Sequence, residues 1–513
     1  MGCSTVSANA NERLEQLTSW DADWKGLKVL VAGLGLSGFS AADTLIELGA
    51  TVAVIDGRDD ELNQQRGETL KIVGAHSVLL GAEHVAALPQ IDGQNPDLVI
   101  VSPGWNPRHP VIAAAAEAGI GLWSDIELAW RVQHRQGHKT PKWLAITGTN
   151  GKTTTVGMTE SILKAAGLKA IAVGNVGTAI LDAVREPVDY DVFAVELSSF
   201  QLHYTHSISP VASVVLNIAE DHVDWHDGFE QYKAAKAKIY ERTQVAAIFN
   251  AQQQETITMV ENADVVEGCR AIGFSTDTPS VSMVGIIDNL IVDRAYIEDR
   301  RNTAVELIGL DEIGEIVPRH TAANAAAAAA LTRAYGVEPE SVAKGLSGFD
   351  SGAHRIQAVA RKDDILWIND SKATNPHAAD ASLAAFTKVV WIAGGLSKGV
   401  DYNDLVARHA QRLSAVLLIG TDTAGLRQAL AEHAPAVPVH DITGAAGAEA
   451  AQLPSGAQVM TRAVRKAAQI AVAGDTVLMA PAAASMDQFS SYAQRGNAFI
   501  SAVSDLMEEN NQQ

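Results

Sequence analysis

The run Gly148-Thr149-Asn150-Gly151-Lys152-Thr153-Thr154 has the residue types needed to hold the tail of a nucleotide. Glycines let a backbone close around an anion, so that its N–H groups point inward. A lysine beside them reaches terminal phosphates, and the hydroxyl of Thr153 suits Mg²⁺. The general pattern G-x-x-x-x-G-K-[ST] asks for glycine at position 146, where Ile146 stands, so the match fails at its first position. The bland alternative is a glycine-rich turn with an exposed lysine. An apolar strand before the loop and a helix opening at Thr153 weigh against it.

Other groups could serve the same chemistry. Glu196 ends the apolar run 192–195 and is followed by Leu197-Ser198-Ser199-Phe200-Gln201. An acid at the end of a strand is well placed to hold a cation beside a phosphate loop. The stretch Asn217-Ile218-Ala219-Glu220-Asp221-His222-Val223-Asp224-Trp225-His226 is dense in carboxylates and imidazoles. Zinc is one reading, but neither cysteines nor H-E-x-x-H accompany it, so a second Mg²⁺ or a substrate site is favoured. The lysines of Tyr232-Lys233-Ala234-Ala235-Lys236-Ala237-Lys238 read most simply as the solvated face of a helix.

A second glycine turn lies near the N-terminus, Gly33-Leu34-Gly35-Leu36-Ser37-Gly38, with Asp56 about 20 residues on. Its physics is generic: close backbone approach and a helix N-terminus aimed at a phosphate. NAD(P), another nucleotide diphosphate such as a UDP-sugar, and a purely structural turn all remain open on this motif alone.

The elements that must position these groups alternate. The first segment runs strand 28–32, helix to Leu48, strand 51–55 and strand 98–101, closing in Ser102-Pro103-Gly104. The polar stretch 134–142 reads as a linker. The next segment has strand 143–147, a helix from Thr153 to about Ala166, and strands near 191–195 and 212–217. The alanine tract 322–330 reads as a buried helix. After a break near Gly348–Gly352 come strands at 365–368, 388–393, 415–419 and 476–480. This alternation predicts an α/β fold of three domains, 1–139, 140–350 and 351–513, with largely parallel sheets. Residues 281–310 read as an insertion without an assigned role.

Bulk properties agree. Hydrophobic residues make up 47% and charged residues 19% of 513, enough for a sizeable core. The formal charge of −21 argues against nucleic acid and anionic membranes as partners. Cysteine occurs only at Cys3 and Cys269, which makes no disulfide framework and fits a reducing cytoplasm. The opening Met1-Gly2-Cys3-Ser4-Thr5-Val6 lacks the Ser or Thr of a myristoylation signal, no secretion signal follows, and no apolar run is long enough to span a membrane.

Together these motifs resemble the Mur ligase family of peptidoglycan synthesis. The loop Gly148–Thr153, the Glu196–Gln201 segment, the Asp221-His222-x-Asp224 stretch, Asn324 after Arg319-His320, and the pair His354-Arg355 all carry the likeness. The run Trp367-Ile368-Asn369-Asp370-Ser371-Lys372-Ala373-Thr374-Asn375, with Gly394-Gly395, Lys398 and Ser485-Met486-Asp487-Gln488-Phe489, is most similar to the D-glutamate-adding branch. The agreement is ordered and spans about residues 28–500. Thr321 stands where the family commonly has Asn, and Tyr492 where Phe can occur.

The resemblance implies an N-terminal Rossmann-like domain for the UDP part, a central P-loop-type ATPase domain and a C-terminal Rossmann-like domain. It implies ATP and two Mg²⁺ sites, with UDP-N-acetylmuramoyl-L-alanine and D-glutamate as substrates, in a cytoplasmic monomer. Leu36, Ser37, Asp56, Arg58, Ser102, Pro103, Gly104, Asn175, Ser198 and Gln201 would meet the UDP substrate. Gly148 to Thr154, Asn324, Arg355 and Asp370 would meet ATP. Thr153 and Glu196 would hold one Mg²⁺; His222 and Lys236, as a carbamate, the other. Thr374, Lys398, Ser485 and Tyr492 would grip D-glutamate. Lys152, His222 and Lys236 are the implied catalytic groups. Closure of the C-terminal domain on ATP is expected, since an acyl phosphate must be kept from water.

Overall fold

The computed structural model describes residues 12–175, 177–314, 317–350, 354–397, 399–443 and 454–511. Its contacts divide the chain into two compact units: Met1–Val317 with Thr321–Phe349, and Pro318–His320 with Asp350–Gln513.

The first unit holds two sheets. Strands β1 (Lys28–Ala32), β2 (Thr51–Asp56), β3 (Ser77–Leu80), β4 (Leu98–Val101) and β5 (Gly121–Trp123) form a parallel sheet in the order β3-β2-β1-β4-β5. Helix α1 (Leu36–Glu47) follows the first glycine turn, and α2 (Asp125–Val132) follows β5. The order reverses at β1, so the turn after β1 opens at the switch point where open α/β sheets bind ligands.

The second sheet has nine strands, ordered β14-β13-β12-β11-β10-β9-β6-β8-β7. They are β6 (Lys142–Thr147), β7 (Ala170–Gly174), β8 (Val192–Glu196), β9 (Ala212–Val215), β10 (Ala246–Asn250), β11 (Arg270–Phe274), β12 (Met283–Ile287), β13 (Leu290–Asp293) and β14 (Val305–Gly309). Strands β7 to β12 pair in parallel. Helix α3 (Lys152–Ala165) leaves β6, α4 (Ser199–His203) leaves β8, and α5 (Phe229–Ala237) lies between β9 and β10.

The unassigned stretch 281–310 is now accounted for. It supplies β12, β13 and β14, an antiparallel extension of the sheet edge. The β12–β13 turn is made by Asp288 (φ 48°) and Asn289 (φ 66°), both in the left-handed region that tight hairpins require. Asp293 at its base is fully buried and pairs with Arg333 Nε at 2.9 Å. Arg333 belongs to α6 (Arg319–Tyr335), whose Ala325–Ala330 are all fully buried. The alanine tract is therefore a core helix, and small side chains let it lie close to the sheet.

The second unit carries β15 (Gln357–Lys362), β16 (Ile365–Asn369), β17 (Val389–Ala393), β18 (Leu413–Leu418), β19 (Val439–Asp441) and β20 (Thr476–Met479), ordered β15-β16-β20-β17-β18-β19. Among the described strands of this sheet, β15 and β16 pair antiparallel and the rest in parallel. The C-terminal α7 (Tyr492–Asn511) buries Phe499 and Val503 in its core.

Candidate active site

Strand order places the phosphate-type loop. β6 lies between β8 and β9, so the C-terminal ends of three strands meet: Ile146 pairs with Glu196, and Thr147 with Val215. The loop leaves β6 through Gly148 and enters α3 through Gly151, whose φ of 84° is left-handed. A Cβ on Gly151 would come 2.5 Å from Asn324 Oδ1, so only glycine lets the loop lie against Asn324.

The loop is pinned from outside. Asn150 N donates to Asn217 Oδ1 at 2.8 Å, Asn217 Nδ2 donates to Asn150 O at 3.0 Å, and Thr149 N donates to Asn217 O at 2.9 Å. The Thr149 hydroxyl lies 2.9 Å from Tyr232 OH and accepts from Ala219 N. Lys152 Nζ donates to the carbonyls of Gly148 (2.8 Å) and Thr149 (2.9 Å), arching over the loop it follows. Thr153 and Thr154 stand half-buried in the first turn of α3. Asn217 and Tyr232 had no role in the sequence analysis; the signal was Asn217's place just past the end of β9, which two strands separate from β6 in sequence but which is its neighbour in the sheet.

The lysines of 232–238 are not a single solvated face: Lys236 is 2% exposed. Its Nζ donates to Gly148 O at 2.9 Å and reaches Thr147 Oγ1 at 3.3 Å, with the Tyr232 ring 4.9 Å away. Burial pushes its pKa well below that of an ordinary lysine. Lys152 lowers it further, while Asp221 and Glu196 oppose the shift. The helix turns this lysine inward because Tyr232, one turn earlier on the same face, is also buried.

Glu196 is the natural counterpart. It is 1% exposed, accepts from Asn175 Nδ2 at 3.1 Å through Oε1, and leaves Oε2 buried without a hydrogen-bond partner. An unpartnered buried carboxylate oxygen is costly and is what a cation would satisfy. Among the described residues no three His, Cys, Asp or Glu side chains gather as a ready-made metal cage. A cation here would draw on Glu196, hydroxyls and phosphate oxygens, a donor set that suits Mg²⁺.

His222 lies on the loop after Asn217 in a left-handed conformation (φ 53°). It is half exposed, 3.5 Å from Asp221 and 4.8 Å from the Phe200 ring. That loop also meets the first sheet. Trp225 Nε1 donates to Gly104 O at 3.3 Å, and Arg108 donates to Asp224 O and pairs with Asp227 at 3.4 Å.

The first glycine turn is built differently. Leu34 N donates to Asp56 Oδ2 at 2.7 Å, and Arg58 N to Asp56 Oδ1 at 2.9 Å, so this acid closes the turn itself. The Ser102 hydroxyl donates to Gly33 O at 3.2 Å. A Cβ on Gly38 would lie 1.9 Å from Gly33 O, which fixes glycine there for helix–strand packing. Leu36 is 53% exposed at the mouth of the turn. Near Ser37 lies a carboxyl without a role in the sequence analysis, the buried Asp125, which binds the amide of Gln201 at 3.2 Å. Gln201 closes a capping box with Ser198 at the start of α4.

In the second unit, Asp370 is buried, accepts from Ser382 Oγ and from Ile356 N at 3.4 Å, and is pushed up to about 6 by burial, with Arg355 opposing. Ser371 Oγ donates to Tyr492 O at 2.7 Å, and the Lys372 ammonium sits 4.0 Å from the Tyr492 ring. Fully buried Arg495 binds Ser371 Oγ (3.0 Å), Ser371 O (2.9 Å) and Ala483 O (3.1 Å), drawing Thr374's segment and Ser485's segment to one place. Arg495 had no role in the sequence reading. Lys398 lies outside the described residues.

Comparison with known proteins follows the same order along the chain. Residues 27–124 match the Mur ligase MurD-like N-terminal domain, residues 146–332 the Mur ligase middle domain, and residues 354–483 the Mur ligase glutamate ligase domain. A UDP-N-acetylmuramoylalanine–D-glutamate ligase of Leifsonia xyli is 49% identical over 97% of this chain and 96% of its own. A protein of the same name from Streptomyces avermitilis is 50% identical over 94% of this chain and 99% of its own. Among solved structures, the MurF ligase of Thermotoga maritima in complex with ADP superposes with a TM-score of 0.56 at 13% identity, covering 90% of this chain and 96% of that one. A pseudomurein peptide ligase type C from Methanothermus fervidus gives 0.52 at 18%, covering 88% and 96%. These structures share the fold.

Proposed function

The chain belongs to the Mur ligase family, and from that premise we propose that it joins D-glutamate to the alanyl carboxylate of UDP-N-acetylmuramoyl-L-alanine, forming ADP and phosphate, in the cytoplasm. The family uses ATP. The choice of amino acid rests on near-half identity, over almost the whole chain, to proteins named for D-glutamate addition. The observation that carries the chemistry is the meeting of the Gly148–Lys152 loop with buried Glu196 and its unpartnered Oε2. No helix among the described residues is long and apolar enough to cross a membrane.

The reaction must make a carboxylate electrophilic. Transfer of the γ-phosphoryl group to the alanyl carboxylate gives an acyl phosphate; attack by the neutral amine of D-glutamate then expels phosphate. Such transfer depends on position and charge neutralisation. Lys152 supplies a cation beside the loop carbonyls, and backbone N–H groups at the start of α3 would face the phosphates. Mg²⁺ would neutralise charge on the transferred group. Thr153 and Glu196 suit one such ion. The second is proposed at His222 with Lys236, whose buried amine is driven toward the neutral form that reacts with CO₂ to give an anionic carbamate. The UDP part would lie along Leu36, Ser37, Asp56, Arg58, Ser102–Gly104, Asn175, Ser198 and Gln201. Asn324, Arg355 and Asp370 are proposed for ATP, and Thr374, Lys398, Ser485 and Tyr492 for D-glutamate, in a monomer with domain limits 1–139, 140–350 and 351–513.

The decisive experiment is a coupled ADP-release assay across UDP-muramoyl substrates and amino acids. ADP is expected only when UDP-N-acetylmuramoyl-L-alanine and D-glutamate are both present. Release with another pair, or none with this pair, overturns the substrate reading.

A further inference from the structure

We propose that Asp125 is a positioning residue of the UDP-substrate site, a single buried carboxyl that sets Ser37 at the head of α1 and the Gln201 amide at the head of α4 together. The inference rests on the reading of that site given above. Asp125 is the first residue of α2 and is 2% exposed. Gln201 Nε2 donates to both of its oxygens, at 3.2 and 3.3 Å, and the Ser37 side chain lies near enough to favour its charged form.

The Gln201 amide has one possible orientation. Its Oε1 accepts from Ser198 N and Ser198 Oγ, both at 3.0 Å. Since a backbone N–H only donates, oxygen must face Ser198 and nitrogen must face Asp125. The chain of contacts Ser37–Asp125–Gln201–Ser198 therefore runs from the first sheet's turn to the second sheet's strand-end segment through one acid.

Asp125 is costly for a scaffold residue. Among the described residues no cation pairs with it, unlike Glu127 on the same helix, which binds Arg131 at 2.7 Å. Burial raises its pKa against the help of Gln201 and Ser37. A buried acid without a counter-charge is expensive and adds little stability. Its side-chain partners, Ser37 and Gln201, are both groups proposed to face the UDP substrate. Ser37 stands where the first-turn N–H groups of α1 lack intrahelical acceptors, and the rotamer of its hydroxyl decides whether the phosphate meets a donor or a bare oxygen.

The test uses the full chain in the ADP-release assay, with KM taken separately for UDP-N-acetylmuramoyl-L-alanine and for ATP, alongside calorimetric binding of the UDP substrate alone. Asp125→Ala is expected to raise the UDP-substrate KM and Kd about tenfold or more, with the ATP KM within about twofold. Asp125→Asn, which still accepts from Gln201 and can donate to Ser37, should restore both to within about threefold. Should Asp125→Ala fail to fold, Asp125→Ser carries the same expectation, since its shorter side chain cannot span both partners. Unchanged UDP-substrate KM and Kd with only a lower melting temperature, or an equal rise in both KM values, overturns the inference. A wild-type protein that binds the UDP substrate but releases no ADP with D-glutamate would sink the proposed reaction and leave the Asp125 binding test standing.

Discussion

The two glycine turns of the first unit share one plan, strand to glycine loop to helix, and differ in what closes them. In the turn Gly33–Gly38 the inner partner of the backbone is an acid: Asp56 takes the Leu34 and Arg58 N–H groups. In the loop Gly148–Lys152 the inner partners are amine or amide groups: Lys152 and Lys236 on the Gly148 carbonyl, Asn217 on Asn150. An acid inside a turn disfavours further negative charge at that spot and leaves the N–H groups of the helix N-terminus as the donors there. In the second loop one ammonium, that of Lys152, stands at the carbonyls, and the unpartnered oxygen of Glu196 nearby is a group that a cation would satisfy. The glycines make close approach possible in both places; the groups beneath them decide what approaches.

Substitutions can break this contrast. The largest effect is expected at Lys152→Ala: kcat for ADP release should fall about a thousandfold, while calorimetric affinity for the UDP substrate stays near wild type. Equal loss of both would mean that the two turns are not independent sites. Glu196→Ala should lower kcat on the order of a hundredfold and shift the Mg²⁺ titration of the remaining activity to higher concentration; an unchanged Mg²⁺ midpoint would remove Glu196 from the cation site.

Gly38→Ala tests the other side. Its Cβ would sit 1.9 Å from Gly33 O, so thermal unfolding should show a loss of about 1–3 kcal/mol, with a raised KM for the UDP substrate and an unchanged KM for ATP. Asn217→Ala is the smallest and sharpest change. It strips the loop of its side-chain pins without touching a charge, at a cost of about 1 kcal/mol per hydrogen bond. The KM for ATP should rise about tenfold while kcat changes less, measured at saturating UDP substrate. A fall confined to kcat would show that Asn217 acts on the reaction and not on the shape of the loop.

Much of this was legible before any coordinates. Glycine placement and apolar periodicity marked β1, β2, β6, β8 and the helices after the two turns to within a residue or two, because strand, turn and helix are set by neighbours along the chain. The phosphate-type loop, Glu196 and the buried alanine helix were legible for the same local reason. Which of the two lysines on α5, Lys233 or Lys236, turns inward was not legible in the residue pattern, though the family resemblance singled out Lys236. Nor were the pairing of Asn217 with Asn150, the seat of Arg495 on Ser371 and Ala483, the hairpin built from residues 281–310, or the meeting of Ser37 and Gln201 on Asp125. Each joins residues far apart in sequence, and each follows from the order in which strands lie side by side. That order is decided by burial of the sheets' apolar faces over the whole unit. Neighbours along the chain thus set the local pieces and their chemistry, whereas sheet order sets which pieces touch and which charges lose water.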